Sequence, residues 1–275
     1  MMQELAYKRD KLMAILGGYP NLAVGFSGGV DSTLLLRAAR EALGKERVLA
    51  ITAAGIMCPL WEREQARALA AKMDVRQVEI PIDPMAIKGF RENTQERCYH
   101  CKRALFGKIV ETAAAQGFRL LADGANADDL GDYRPGMRAV KELGIVSPLL
   151  EAGLTKADIR ELSRQYGLST AEKPSYACLA SRIPYGTPIT AEALLQVERA
   201  ENFLMDRGFV QMRVRHHGEV ARIEVPQAEI GRFLDEELRE AVTDYFKEVG
   251  FRYVALDLQG FRTGSMNEGL KLKGE

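Results

Sequence analysis

No charge of one sign dominates this sequence: Lys plus Arg and Asp plus Glu number 38 each, for a formal net charge of zero. A global positive field of the kind that drives non-specific nucleic-acid binding is therefore excluded, and a phosphate-rich ligand would need a local site. Long apolar runs are also missing. Nothing approaches the roughly 18 apolar residues of a membrane span. The start, MMQELAYKRDKLMAIL, spaces its apolar residues helically among charges instead of forming a secretory core. A cytoplasmic protein with no membrane partner is expected. Cysteine is scarce, with Cys58, Cys98, Cys101 and Cys178 in 275 residues. In a reducing compartment these are thiols for metal, catalysis or packing rather than disulfides. The G-x-x-x-x-G-K-[ST] and G-x-G-x-x-G phosphate loops and the H-E-x-x-H zinc motif are absent as well.

What is present is an alternation. Short branched-rich runs (LAVGF, VLAITA, VRQVEI, RLLADGA, IVSPL) alternate from residue 22 to about 150 with helical patterns such as STLLLRAAREALG and KRALFGKIVETAAAQG. This predicts an α/β fold, a parallel sheet wrapped by helices. TKADIRELSRQYG adds an amphipathic helix that starts at Thr155 and Asp158. After the irregular, proline-rich AEKPSYACLASRIPYGTP, the pattern changes to a helix (ITAEALLQVERAENFLMDRG) and two short strands (VQMRVRHHG, VARIEV). A long helix (QAEIGRFLDEELREAVTDYFKEVG) and a last strand (YVALDLQGF) follow. A smaller C-terminal α+β domain is expected there, with TGSMNEGLKLKGE as a loose tail.

The run FSGGVDS follows the first strand and opens a helix. Successive backbone N–H groups and two hydroxyls at a helix's positive end make an anion site, and glycines let a phosphate approach closely. A simple helix cap by Ser27 or Asp31 is the alternative. SGGVDS, from Ser27 to Ser32, resembles the pyrophosphate-binding loop of the PP-loop ATP pyrophosphatases, the group of GMP synthetase, NAD synthetase and the tRNA thiolases. The resemblance implies a Rossmann-like domain over residues 1–172 in which Ser27, Gly28, Gly29, Asp31 and Ser32 hold the pyrophosphate half of ATP, with Mg²⁺ as counter-charge. The adenine side would lie near Thr52 and Ala53, at the end of a strand. DGANADD resembles the family's second nucleotide-facing loop, where Asp128 and Asp129 are either metal ligands or helix caps.

Cys98 and Cys101 stand three positions apart, so both can reach one metal or cluster, zinc and iron–sulfur alike. Cys58, among apolar neighbours in IMCPLW, reads as packing. NTQERCYHCKRALF, DGANADDLGDYRPGMRA, SPLLEAGLTKADIRELSRQYGL, KPSYACLASRIPYGTPIT and RVRHHGEVARIEV together resemble the LarE family of ATP-dependent sulfur transferases of nickel-pincer cofactor synthesis, over nearly the whole chain. That resemblance implies adenylation of pyridinium-3,5-biscarboxylic acid mononucleotide and its conversion to a thiocarboxylate. It also implies a homo-oligomer, a hexamer in that family, with a small-molecule partner and no nucleic acid. Better-known members spend the thiol matching Cys178 and keep dehydroalanine. The added Cys98 and Cys101 are similar to a variant that binds a [4Fe–4S] cluster through three thiolates, here Cys98, Cys101 and Cys178. A tRNA thiolase is the competing enzyme class. Residues 173–190 are expected to form a catalytic linker carrying Cys178, and residues 191–275 the C-terminal domain.

The substrate's phosphate and carboxylates need cations. Arg213 and Arg215 alternate on one strand and so share a face, to grip an oxyanion or to form a solvated polar surface. Arg182, beside Cys178, is expected to meet the reacting carboxylate or acyl phosphate. Glu198 and Glu201 share a helix face as metal, interface or solvated carboxylates. His216 and His217 flank a turn, and Trp61 reads as packing or as a wall of the nucleotide pocket.

Overall fold

The computed structural model describes residues 2–131, 135–174 and 177–262. The expected tail, residues 263–275, lies outside the described residues. The chain divides into two units, one of Met1–Gly89 and Glu96–Tyr176, the other of Phe90–Gln95 and Ala177–Glu275. Among the described residues no helix is long and apolar enough to cross a membrane.

The first unit is built on four parallel strands, β1 (Leu22–Gly25), β2 (Val48–Ala54), β3 (Arg76–Pro81) and β4 (Leu121–Ala122), in the order β3-β2-β1-β4. β1 and the first half of β2 read as unbroken apolar runs because both of their faces are covered. Successive side chains go to opposite faces, and the core splits accordingly. Leu22, Val24, Val48 and Ala50 join one apolar cluster, while Ala23, Leu49 and Ile51 join the other. Helices α1 (Met2–Gly17), α2 (Val30–Leu43), α3 (Leu60–Lys72), α4 (Arg97–Ala115), α5 (Pro135–Glu142), α6 (Pro148–Glu151) and α7 (Lys156–Gln165) complete the unit. The chain runs outward from β1 to β3 and then crosses back to β4, so the strand order reverses beside β1. Crevices outside the carboxyl ends of strands at such a reversal are where ligands bind.

The predicted start of α7 is observed as a reciprocal capping box, Thr155 accepting from the Asp158 N–H and Asp158 from that of Thr155. The fifth predicted strand, IVSPL, is reduced to one bridge between Val146 and Ala122. Pro148 has no N–H for a ladder and starts α6 instead.

The second unit carries α8 (Ala191–Asp206), β5 (Arg213–His217), β6 (Val220–Glu224), α9 (Gln227–Ile230), α10 (Glu236–Glu248) and β7 (Tyr253–Leu256). β5 pairs antiparallel with β6, and β6 pairs parallel with β7. Leu204, Phe209, Val214, Ile223, Phe246 and Phe251 form its core. The single long helix predicted over QAEIGRFLDEELREAVTDYFKEVG is broken, because Asp235 accepts from the Leu238 N–H and so caps a new helix.

The structural division also differs from the sequence-based boundaries at 172 and 190. It falls between Tyr176 and Ala177, and it places Phe90–Gln95 in the second unit. The reason is Asn93, fully buried with a φ of 53°. Its side-chain amide donates to the carbonyls of Ile183, Pro184 and Thr187 at 3.3, 2.7 and 2.8 Å. Its own carbonyl accepts from Gly186.

Candidate nucleotide site and thiol segments

Ser27 to Ser32 connect the end of β1 to α2. The helix is capped by Gly29 with no side-chain bond, so neither Ser27 nor Asp31 performs the capping role. The Ser27 and Ser32 hydroxyls lie 3.2 Å apart. The Gly29 N–H donates to Ser27 Oγ, and Ser32 Oγ donates to the Gly29 carbonyl, both at 3.3 Å. These are long bonds, and a charged acceptor in the loop would compete well with them. Gly28 is required on two grounds: its φ is +72°, and a Cβ there would stand 3.0 Å from Ala66 Cβ and 3.1 Å from Ala66 Cα.

The loop after β4 closes on the first. A Cβ on Gly124 would come within 3.2 Å of both Asp31 Cβ and the Ser32 nitrogen, so glycine permits this approach. Asn126 Nδ2 donates to Asp31 Oδ1 at 3.4 Å, and Lys156 Nζ to Asp31 Oδ2 at 2.5 Å. Asp128 Oδ2 accepts the Lys156 N–H at 2.8 Å, at the start of α7, and Asp129 Oδ2 accepts the Asn126 N–H at 3.0 Å. The capping alternative for these two aspartates thus has explicit hydrogen bonds. Burial pushes the Asp123 carboxyl above its usual range, against the hydrogen bonds from Ser147 and the Ala125 N–H. Thr52, expected near the adenine, is buried, and its hydroxyl donates to the Phe26 carbonyl at 2.7 Å.

Two lysines serve this site that sequence reasoning assigned no role. Lys156 is the first residue of α7, and the capping box was the signal that fixed its position. Lys173 Nζ donates to the Gly28 carbonyl at 3.1 Å and to Gln65 Oε1 at 2.5 Å, and it lies 5.3 Å from the centre of the Trp61 ring. Trp61, near the start of α3, is half-buried beside the loop's lysine.

Cys98 and Cys101 fall in the first turns of α4, both half-buried. Cys101 Sγ donates to Met57 Sδ at 3.8 Å, and Arg97 approaches Cys98 Sγ at 4.0 Å. Cys58 is half-buried after β2, and Cys178 is exposed. None of the four is in a disulfide. As donors for an iron–sulfur cluster, Cys98 and Cys101 fit in chemistry and in spacing. Among the described residues no group of three His, Cys, Asp or Glu side chains is placed to hold a metal ion.

In the second unit, Arg182 is almost wholly buried. It donates from Nε and Nη2 to Glu201 at 2.9 and 2.7 Å, and from Nη1 to the carbonyls of Ala177 and Cys178 and to Ser181 Oγ. Its guanidinium holds the Cys178 backbone, where sequence reasoning had it facing a reacting group. Glu201, read as a metal, interface or solvated carboxylate, is buried, which removes the solvated alternative, and it also accepts the Val214 N–H at 2.9 Å. Arg213 and Arg215 are buried too, so the solvated-face alternative is corrected. Arg215 pairs with fully buried Glu224 at 2.7 Å and donates to the Ser181 carbonyl, and Arg213 stacks near Phe261. His216 meets Gln196 at 2.9 Å, and burial lowers its pKa. Glu198 is half-buried on α8.

Residues 16–107 match the NAD synthase family. A pyridinium-3,5-bisthiocarboxylic acid mononucleotide synthase of Lactiplantibacillus plantarum is 38% identical over 269 residues, covering 98% of this chain and 97% of the relative. An uncharacterized protein of Synechocystis is 39% identical over 97% of this chain and 99% of its own length. One of Methanocaldococcus jannaschii is 29% identical over 88% and 91%. With the phosphate-type loop at the strand reversal and a relative aligned from end to end, the chain belongs to the LarE family, with a PP-loop domain of the NAD synthase type.

Proposed function

We propose that the protein is an ATP-dependent sulfur transferase that adenylates the carboxylates of pyridinium-3,5-biscarboxylic acid mononucleotide and converts them to thiocarboxylates. The observation that carries this reading is the pair of touching loops, Ser27–Ser32 and Asp123–Asp129, at the carboxyl ends of β1 and β4. The synthase of L. plantarum, similar over the whole chain, supplies the substrate class.

In this reading the loop N–H groups and hydroxyls take the β and γ phosphates of ATP, with Mg²⁺ arriving as the nucleotide's counter-ion near Asp31, Asp128 and Asp129. A substrate carboxylate oxygen attacks the α phosphorus and pyrophosphate leaves. A sulfur nucleophile then adds to the acyl carbon and AMP departs. Arg182 and Arg215 act by holding the carbonyls of Cys178 and Ser181, which fixes the backbone that carries the thiol.

For the sulfur source we assign Cys98, Cys101 and Cys178 as ligands of a [4Fe–4S] cluster. Held by these thiolates, such a cluster would supply a binding place for external sulfide. The exposure of Cys178 favours a second reading, in which its own sulfur is consumed. Pyrophosphate release that requires the pyridinium mononucleotide tests the function, and release dependent on tRNA instead would support a tRNA thiolase. Intact mass after one turnover without added sulfide separates the sulfur sources. A chain lighter by one H₂S, with dehydroalanine at 178, would exclude the cluster route.

A further inference from the structure

Among the described residues, the Lys173 ammonium beside the Ser27–Ser32 loop has only neutral hydrogen-bond acceptors. Its ammonium is shared between the Gly28 carbonyl and the Gln65 amide oxygen, over the Trp61 ring, while Glu62 acts on it only through space. Burial lowers its pKa, so the charged form gains from an added anion. A Lys ammonium has three donors that turn freely, which suits exchange between acceptors.

We propose that Lys173 is a pyrophosphate-binding residue of the Ser27–Ser32 loop, its ammonium taking a phosphate oxygen in place of the Gln65 amide when the nucleotide is bound. The inference rests on the assignment of that loop to ATP. As the substrate carboxylate oxygen bonds to the α phosphorus, the bond from that phosphorus to its bridging oxygen breaks, and the electron pair passes to the β phosphate. In the proposed arrangement the Lys173 ammonium meets the charge gained there. Trp61 is the chain's single tryptophan, so its emission reports the ammonium above its ring directly.

The full-length protein is titrated with magnesium pyrophosphate by calorimetry and by tryptophan emission. Wild type is expected to bind, with a change in emission. Lys173→Met is expected to bind roughly tenfold to a hundredfold more weakly, the size of one charge-assisted hydrogen bond, without loss of thermal stability. Lys173→Arg keeps the charge and should retain most of the affinity, which covers the case in which the Met variant folds poorly. Wild-type affinity in Lys173→Met, or equal losses in the Met and Arg variants, overturns the proposal and leaves the loop assignment intact. A wild type that binds neither pyrophosphate nor ATP overturns the loop assignment itself.

Discussion

Glu201→Gln probes the buried scaffold beneath Cys178. Arg182 is 1% exposed and Glu201 is 7% exposed, and two parallel bonds of 2.9 and 2.7 Å join them. The amide removes the counter-charge and turns one acceptor into a donor facing the guanidinium. Removing one partner of a buried pair costs about 3–5 kcal/mol. The Ala177, Cys178 and Ser181 acceptors stay in place, so the low end, about 3 kcal/mol, is expected. Trp61 belongs to the other unit. Hydrogen exchange of α8 and β5, read by mass spectrometry, is the appropriate assay. Replacing the pair together by Arg182→Met and Glu201→Leu leaves no buried charge and should recover stability to within about 1 kcal/mol. Thiocarboxylate formation should be lost in the double variant, because the guanidinium bonds to the Ala177 and Cys178 carbonyls are then gone and the Cys178 carbonyl keeps the Ser181 N–H. Unchanged exchange in Glu201→Gln would refute the energetic argument, and full activity in the double variant would refute the positioning role.

Gly28→Ala should lower the melting temperature, since the left-handed angle costs about 1–2 kcal/mol and the methyl also meets the α3 backbone. Gly29→Ala, with a φ of −79° and only Ser27 Oγ at 3.3 Å, should keep its stability within about 0.5 kcal/mol while weakening nucleotide binding. Both are read by thermal melting and ATP titration. His216 and His217 both have pKa values lowered by burial, so the unfolded chain binds more protons than the folded one below the ordinary histidine range. Their stabilising contribution is present above pH of about 6.5 and is lost as the pH falls through the lowered folded values. Changing both to Gln should flatten the decline of exchange protection in β5 between neutral and mildly acid pH.

Local patterns made much of the first unit legible. The apolar runs of β1 and β2 marked covered parallel strands, Thr155 and Asp158 marked a helix start, and Ser27 to Ser32 marked the loop that leads from β1 into α2. Features set by distant partners were not legible. The period-two placement of Arg213 and Arg215 is the same for a solvated face and a buried one, and only the pairing with Glu224 across β6 decides it. The choice among a metal, interface or solvated role for Glu201 could not be made from the sequence, because its partner lies 19 positions away on an irregular segment. The break at Asp235 was hidden by the continuous helical periodicity around it. Lys173 opens the segment KPSYACLASRIPYGTPIT, but nothing in its spacing gave it a role, and its meaning comes from its contact with Gly28.

The assignment of Phe90–Gln95 has a practical corollary for dissecting the molecule. The backbone passes from one unit to the other three times, after Gly89, Gln95 and Tyr176, so no single cut yields two self-sufficient pieces. A fragment ending at residue 176 would keep Phe90 and Asn93, both buried in the intact chain, without the carbonyls of residues 183–187 that satisfy Asn93. Such a fragment should aggregate, whereas grafting a short glycine bridge from residue 89 to residue 96 should rescue its solubility.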